Sequence, residues 1–493
     1  MKRDFCFYFL LMLFSAHALC QESVKWGNSF KPRLKMTYLY DYFFDSGGQI
    51  YVIGAGTNIE QCVLLAFNGD LNNTMRVKAK KKYLGMYYFG DVFFINGNFL
   101  LFRNKGDYHV CTSIGSNGSI ISDRQKIIRN SILKPLVERH NVIKTYSRDS
   151  KSLIILKRVN KKSKDFELDV AEINEKADII REKKIRITSD SIDFSGHSLQ
   201  AAQFEDNNLM LVTGIDKFSL VEVNYTKSYI GNSIRYSIEN NNYTISQPLK
   251  IPVKGGFATQ LAFHDSLVFY CGLTTDKNRK NVTGAYTSVF NSRTGKEIKY
   301  LQKDFSKKFL LSFLSSHEYS MNKGINTKLF QQYSIHVNHR GNVLYSFRGL
   351  KTNIGVNMKY KFTDWGGVFF DLSNDSIHEK NIPLNHIIDY SKPQFYNIFE
   401  KDSNFYCLYL DVTELRNKDR FRDVSRRRNT SLHLMKIDGK TGETLYDKII
   451  YNNDNDIQIL PALCFFDENE NALYAVGLIR KKAKLGKFSV QLE

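Results

Sequence analysis

The chain has 493 residues and a formal net charge of +20, and it carries 36 Phe and 28 Tyr against 7 Pro, so that 13 % of it is aromatic. Its length suits a large core and would by itself suggest two to four domains, while the aromatic content favours pleated, half-buried surfaces. Five cysteines follow residue 20 (Cys62, Cys111, Cys271, Cys407 and Cys464), widely spaced and with no C-x-x-C pair, which speaks against a disulfide framework or a zinc knuckle and leaves them as small core residues.

In chain order, Lys2 and Arg3 precede the apolar run Phe5–Phe14 and the small-residue stretch Ala16-His17-Ala18. A charged start, a short apolar core and an A-x-A site predict a signal peptide over residues 1–20, and the run is shorter than a spanning helix needs. No later stretch is apolar enough to cross a bilayer, so 21–493 is expected as one exported domain without a transmembrane segment.

The stretch Tyr40–Arg76 reads as a complete sheet unit. An aromatic run meets a turn at Asp45–Gly48, an alternating strand follows through Val52, then the run Cys62–Phe67, a turn at Asn68–Asp70 and a more polar strand. Period-two alternation around Gly-bearing turns is the hairpin signature, and four strands graded from apolar to polar describe one propeller blade. First-hairpin turns recur at Ser46–Gly48, Asn96–Asn98, Asp149–Ser150, Asp206–Asn208, His264–Asp265, Asp402–Ser403 and Asp467–Glu470. Second-hairpin turns fall at Asn68–Asp70, Ser116–Gly118, Asn174–Lys176, Ser292–Gly295, Asn338–Gly341, Ser373–Asp375 and Asp438–Gly442. The long interval after Asp265 holds a further unit around Tyr333–Phe347 and a degenerate one ending at Asp375. Asp169–Arg186 reads as a hairpin, and Phe309–Ser316 as a short helix.

The prediction is an all-β fold, a single closed β-propeller of about seven, possibly eight, four-stranded blades. The last unit supplies only three strands, and the segment Ser23–Phe30 is expected to complete it, which removes exposed sheet edges. Two smaller propellers, or a sandwich plus a propeller, are the competing architecture. Through turn spacing and alternation, over almost all of 21–493, the sequence resembles secreted β-propeller repeat proteins. It lacks the W-D pair of Trp-Asp repeats and the glycine doublets of kelch, and Ser147-Arg148-Asp149 only echoes an Asp box, so the resemblance implies a fold and no catalytic residue.

Motifs with chemistry are few. Gly439-Lys440-Thr441 reads as a hairpin turn, since Leu434 stands where a phosphate loop needs its first glycine. Gly54-Ala55-Gly56 lacks the third glycine and the helix of a dinucleotide site. His336 and His339, three apart on a strand, point to opposite faces, and Asn452–Asp456 lacks the Gly and Glu of a calcium loop, so no metal and no cofactor is expected. One segment departs from its repeat: Arg416, Lys418, Arg420, Arg422, Arg426, Arg427 and Arg428 stand against Asp419 and Asp423 between two apolar strands. Clustered arginines present paired donors suited to carboxylate, sulfate or phosphate, which makes this loop the candidate binding site.

The expected function is that of an exported, non-catalytic binding or scaffold protein, a basic monomer that is periplasmic, cell-surface or secreted, from a Gram-negative bacterium. One propeller face would hold a protein or anionic glycan partner, with nucleic acid excluded by export. The alternative is a propeller hydrolase or lyase acting on a glycan or peptide at the central funnel. An enzyme would show carboxylates, His or Tyr from several blades converging with perturbed acidities; a platform would show an exposed aromatic or basic patch.

Overall fold

The computed structural model describes residues 24–32, 36–45, 47–56, 62–79, 92–105, 107–129, 142–147, 149–160, 162–205, 208–215, 228–237, 239–251, 256–278, 280–313, 324–326, 330–354, 359–382, 386–389, 396–412, 422–423, 430–453, 457–479 and 481–488. Eight sheets built on a four-stranded antiparallel meander make it an all-β propeller of eight blades. Seven of them open at the first-hairpin turns read from the sequence. The eighth is the pair of units placed in the long interval, which are one blade: Phe330–Val337, Val343–Ile354, Lys359–Asp371 and Ser376–Ile382. Asn338–Gly341, expected as a second-hairpin turn, instead joins the first two strands of this blade, and the middle strands run to 12 and 13 residues, which carries it far from the second-hairpin turn at Ser373–Asp375 and makes one blade look like two.

The local rules repeat from blade to blade. Second strands are buried on both faces, as Leu153–Arg158 is throughout, and therefore read as continuous apolar runs. Outer strands are wet: Ile179–Ile187 is exposed over its first four residues. A tyrosine near the start of the second strand recurs as Tyr51, Tyr270, Tyr345, Tyr406 and Tyr474, each at most 2 % exposed. The second-hairpin turns share an Asn or Asp whose carbonyl or carboxylate oxygen accepts backbone N–H groups just downstream, as Asn174 does from Lys176 and Asp178, and Asp438 from Lys440 and Thr441. Short polar side chains that mimic a backbone turn explain why these positions were legible.

The chain divides into two compact units, one formed by 79–350 with 363–383, the other by 1–78 with 351–362 and 384–493. In the first, successive blades share cores. Phe102 and Cys111 meet Leu153 and Ile173; Leu156 and Phe166 meet Leu199 and Leu209; Val212 meets Tyr270; and Leu273 meets Tyr345 and Phe347. The helix Lys307–Phe313 adds Phe309, Leu310 and Phe313 to the last of these, and Ser306 caps it by accepting the Phe309 N–H at 3.1 Å.

In the second unit the strand Val24–Trp26 pairs antiparallel with Lys482–Phe488 and completes the three-stranded blade that begins at Cys464, as expected. The reason it seats there is a glycine slot. A Cβ at Gly477 or Gly486 would lie 2.6 Å from the Trp26 ring, so only glycine lets the indole lie flat on the sheet. Phe30 then packs edge-on against Phe67 at 5.3 Å, and Asn72 accepts the Asn28 N–H at 2.9 Å, which ties the same segment to the blade of residues 36–79. The end of the long strand, Lys359–Phe362, pairs with His386–Asp389, which runs parallel to Arg422–Asp423.

Candidate functional site

An exposed aromatic edge stands in the second unit, on the strand Met36–Phe44. This is the first, innermost strand of its blade and an edge of its sheet, and it carries a register shift between Leu39 and Asp41. A bulge re-aims side chains, and the residues that follow it are Asp41 and Tyr42. Tyr42 is 37 % exposed, and its ring stacks on Phe465 at 4.9 Å and 28°. Phe465 in turn stacks on Tyr474 at 5.4 Å and 12°, with Phe44 about 6 Å from all three rings. The Tyr474 hydroxyl donates to Glu470, which also pairs with Lys487 at 2.8 Å. These two partners hold the Glu470 carboxyl below the usual carboxylate range. The stack thus runs from an ion pair at one end to an open tyrosine face at the other.

Acidic groups surround the open end. Burial pushes the Asp41 carboxyl up, against the hydrogen bond it accepts from the Tyr42 N–H at 2.8 Å. Burial also raises the Tyr42 phenol, and the neighbouring charges of Asp41, Glu468 and Asp467 raise it further, so the hydroxyl stays protonated. An exposed ring face edged by carboxylates, on a protein of formal charge +20, suits a ligand with C–H faces and hydroxyl or amine donors, and repels an anion.

A second constellation lies on the blade of residues 396–452. Tyr409 donates to Asp447 Oδ2 at 2.5 Å, His433 Nδ1 lies 3.4 Å from Asp447 Oδ1, and the tyrosine and imidazole rings stack at 4.8 Å. Burial, then the hydrogen bond to Asp447, raises the Tyr409 phenol. Chemically this is a carboxylate orienting a histidine beside a protonated phenol. It stands on the second, third and fourth strands, Asn404–Val412, Thr430–Ile437 and Thr444–Asn452, and not on the innermost one.

Other buried titratable groups are tied into the sheets of the first unit. His336 Nε2 is 3.0 Å from Ser334 Oγ, which reaches Ser346 Oγ at 2.6 Å, and burial depresses this imidazole to about 4. Burial likewise lowers His109, stacked on Phe102 at 5.5 Å, and His197. Arg158 points its guanidinium into a bed of backbone carbonyls, Asp165 at 2.9 Å, Glu167 at 3.3 Å and Phe194 at 3.4 Å, over the Phe166 ring.

Of the predicted loop, Arg416, Lys418, Arg420, Arg426, Arg427 and Arg428 lie outside the described residues; Arg422 is placed only through its backbone pairing with His386. His336 and His339 reach different neighbours, Ser334 for the former and the His264 ring, 6.2 Å away, for the latter. Cys111, Cys271, Cys407 and Cys464 are buried free thiols, and Gly439-Lys440-Thr441 is a turn closed by the Asp438 carboxylate. Sequence reasoning missed Asp41 and the set of Tyr409, His433 and Asp447. A polar residue inside the aromatic run YDYFF was the available signal for Asp41; the other three are too far apart in sequence to form a motif.

No known family profile and no curated relative matches this chain. Among solved structures it is similar to prolyl endopeptidases analysed for inter-domain dynamics, at 9 % identity and a TM-score of 0.41, over 90 % of this chain and 55 % of that one. It is also similar to a polysaccharide lyase, at 10 % identity and 0.39, over 96 % and 100 % of the two chains. A third is prolyl oligopeptidase B from Galerina marginata, at 9 % and 0.38, over 82 % and 46 %. The chain spans about half the length of the peptidases it matches. Likeness at this level assigns no activity. Among the described residues no helix is long and apolar enough to cross a membrane.

Proposed function

We propose that the protein is an exported binding propeller that holds a glycan partner, with the open face of Tyr42 as its contact. The observation that carries this reading is the stack of Tyr42, Phe465 and Tyr474, which fixes an exposed aromatic ring without leaving it free to collapse onto its own blade. A fixed ring costs little side-chain entropy when a ligand lands on it. The carboxylates of Asp41 and Glu468 would accept sugar hydroxyls, which favours neutral or amino sugars at this edge. Anionic glycans would instead meet the basic segment Arg416–Arg428.

The test is binding of the chain to neutral and anionic glycan panels at low and high salt, with Tyr42→Ala alongside. Salt-resistant binding to neutral members that is lost in Tyr42→Ala supports the reading, whereas neutral binding unchanged in that variant overturns it. The enzymatic alternative draws on one arrangement, His433 beside Asp447 and Tyr409, where general acid–base chemistry has its residue types within reach of each other. Turnover of a glycan or peptide that disappears in His433→Ala would favour it.

A further inference from the structure

Carboxylates gather around the Tyr42 ring and meet no cation there. Asp41 precedes the tyrosine on the strand Met36–Phe44, and Asp467 and Glu468 stand at the hairpin tip between the strands Cys464–Asp467 and Ala472–Ile479. All three are close enough for their charges to raise the Tyr42 phenol, and no positive charge acts on that phenol or on the Asp41 carboxyl. In a chain of 70 Lys and Arg against 50 Asp and Glu, a carboxylate would ordinarily have a basic neighbour. Glu470, at the same tip, has Lys487 at 2.8 Å. Among the described residues Asp41, Asp467 and Glu468 have no basic partner.

Two of these acids are held in place by main-chain donors. Asp41 Oδ1 accepts the Tyr42 N–H at 2.8 Å, and Asp467 Oδ1 accepts the Asn469 N–H at 3.0 Å, while Glu468 is exposed. Burial disfavours the ionised form of Asp41, and a bound cation would offset that cost. The ring beside them is fixed as well, since Tyr42 stacks on Phe465 and Phe465 on Tyr474. An aromatic face and a carboxylate both attract an ammonium group. An acetamide in the same place offers C–H contacts to the ring and no charge to the acids.

Resting on the reading of Tyr42 as a glycan contact, we propose that this edge selects an amino sugar by its free ammonium group, and that Asp41 and Glu468 set the preference over the N-acetylated sugar. The ring supplies stacking that both forms share; the carboxylates act on the ammonium alone. The charge of the whole chain works in the opposite direction. At +20 it repels a cationic glycan at long range, so a preference for the ammonium form has to come from local carboxylates.

The test is isothermal titration calorimetry of the full chain with a β-1,4-linked glucosamine oligomer and with the same oligomer fully N-acetylated, at a pH where the amine is protonated and at low and high salt. The amine form is expected to bind about 10-fold tighter at low salt, as one cation–π contact and one exposed ion pair together supply. That margin should shrink at high salt. Asp41→Asn with Glu468→Gln keeps side-chain shape and an acceptor for the Tyr42 N–H, and should erase the margin; an unchanged melting temperature would show the variant to be folded. Equal affinity for the two oligomers, lost in Tyr42→Ala, overturns the ammonium preference and leaves the ring as a glycan contact. A preference that survives the double variant, or that Tyr42→Ala leaves intact, overturns it as well. Binding of neither oligomer overturns the preference, whereas neutral glycans bound equally by Tyr42→Ala overturn the contact itself.

Discussion

Two blades solve the same problem by different means. The blade of residues 142–187 draws its four strands from one continuous segment and fastens itself with a charge, Arg158, which satisfies the carbonyls of Asp165, Glu167 and Phe194 beneath Phe166. The blade that begins at Cys464 borrows its outer strand from far upstream and fastens it with shape, the Trp26 indole on Gly477 and Gly486. Closure entropy rises only slowly with loop length, so a distant strand can be used provided its seat is specific. A continuous blade needs an internal tie; a composite blade needs a lock.

The lock should be the more costly of the two to break. Trp26→Ala is expected to destabilise by about 3 kcal/mol, in the range of large aromatic truncations. Gly486→Val should do similar damage with the tryptophan intact, since its Cβ would stand 2.6 Å from the ring and 2.8 Å from Val24 Cγ1. Urea midpoints would show both. Arg158→Met comes next at about 2 kcal/mol, because it leaves carbonyls unsatisfied while keeping much of the side-chain volume. If the arginine variant proves the weaker protein, the internal tie matters more than the closing strand.

Smaller effects sharpen the contrast between interior and edge. His336, with its folded value near 4 against 6.5, refuses a proton that the unfolded chain accepts, and His109 and His197 are shifted the same way. Stability should therefore fall as pH drops from about 6.5 toward 4, by up to about 1.4 kcal/mol per pH unit for each such group. Thermal melts across that window would show it, and His336→Asn should flatten the slope. The smallest change belongs to Tyr42→Ala, expected to cost about 1 kcal/mol or less in stability while abolishing contact at the open face. A large stability loss there would make the stack structural rather than receptive.

Much of the fold was legible because each turn states its own chemistry. Asn174, Asp371 and Asp438 cap their turns with their side chains, and the second strands are apolar on both faces, so spacing alone located the blades. The count blurred at one place, Val343–Asp371, where unusually long strands separated two turns of a single blade. The site was less legible. The loop Arg416–Arg428 stood out by charge, whereas Asp41 and Tyr42 were hidden in an aromatic run that any inner strand would carry.

The sequence by itself determined the all-β class, the repeating meander and the use of Val24–Trp26 to complete the last blade, because alternation, turn chemistry and a missing fourth strand are local facts. Only the tertiary structure decided which aromatic ring stays exposed and that Tyr409, His433 and Asp447 meet. Those are matters of register and bulges, where a slip of one residue sends a side chain to the other face.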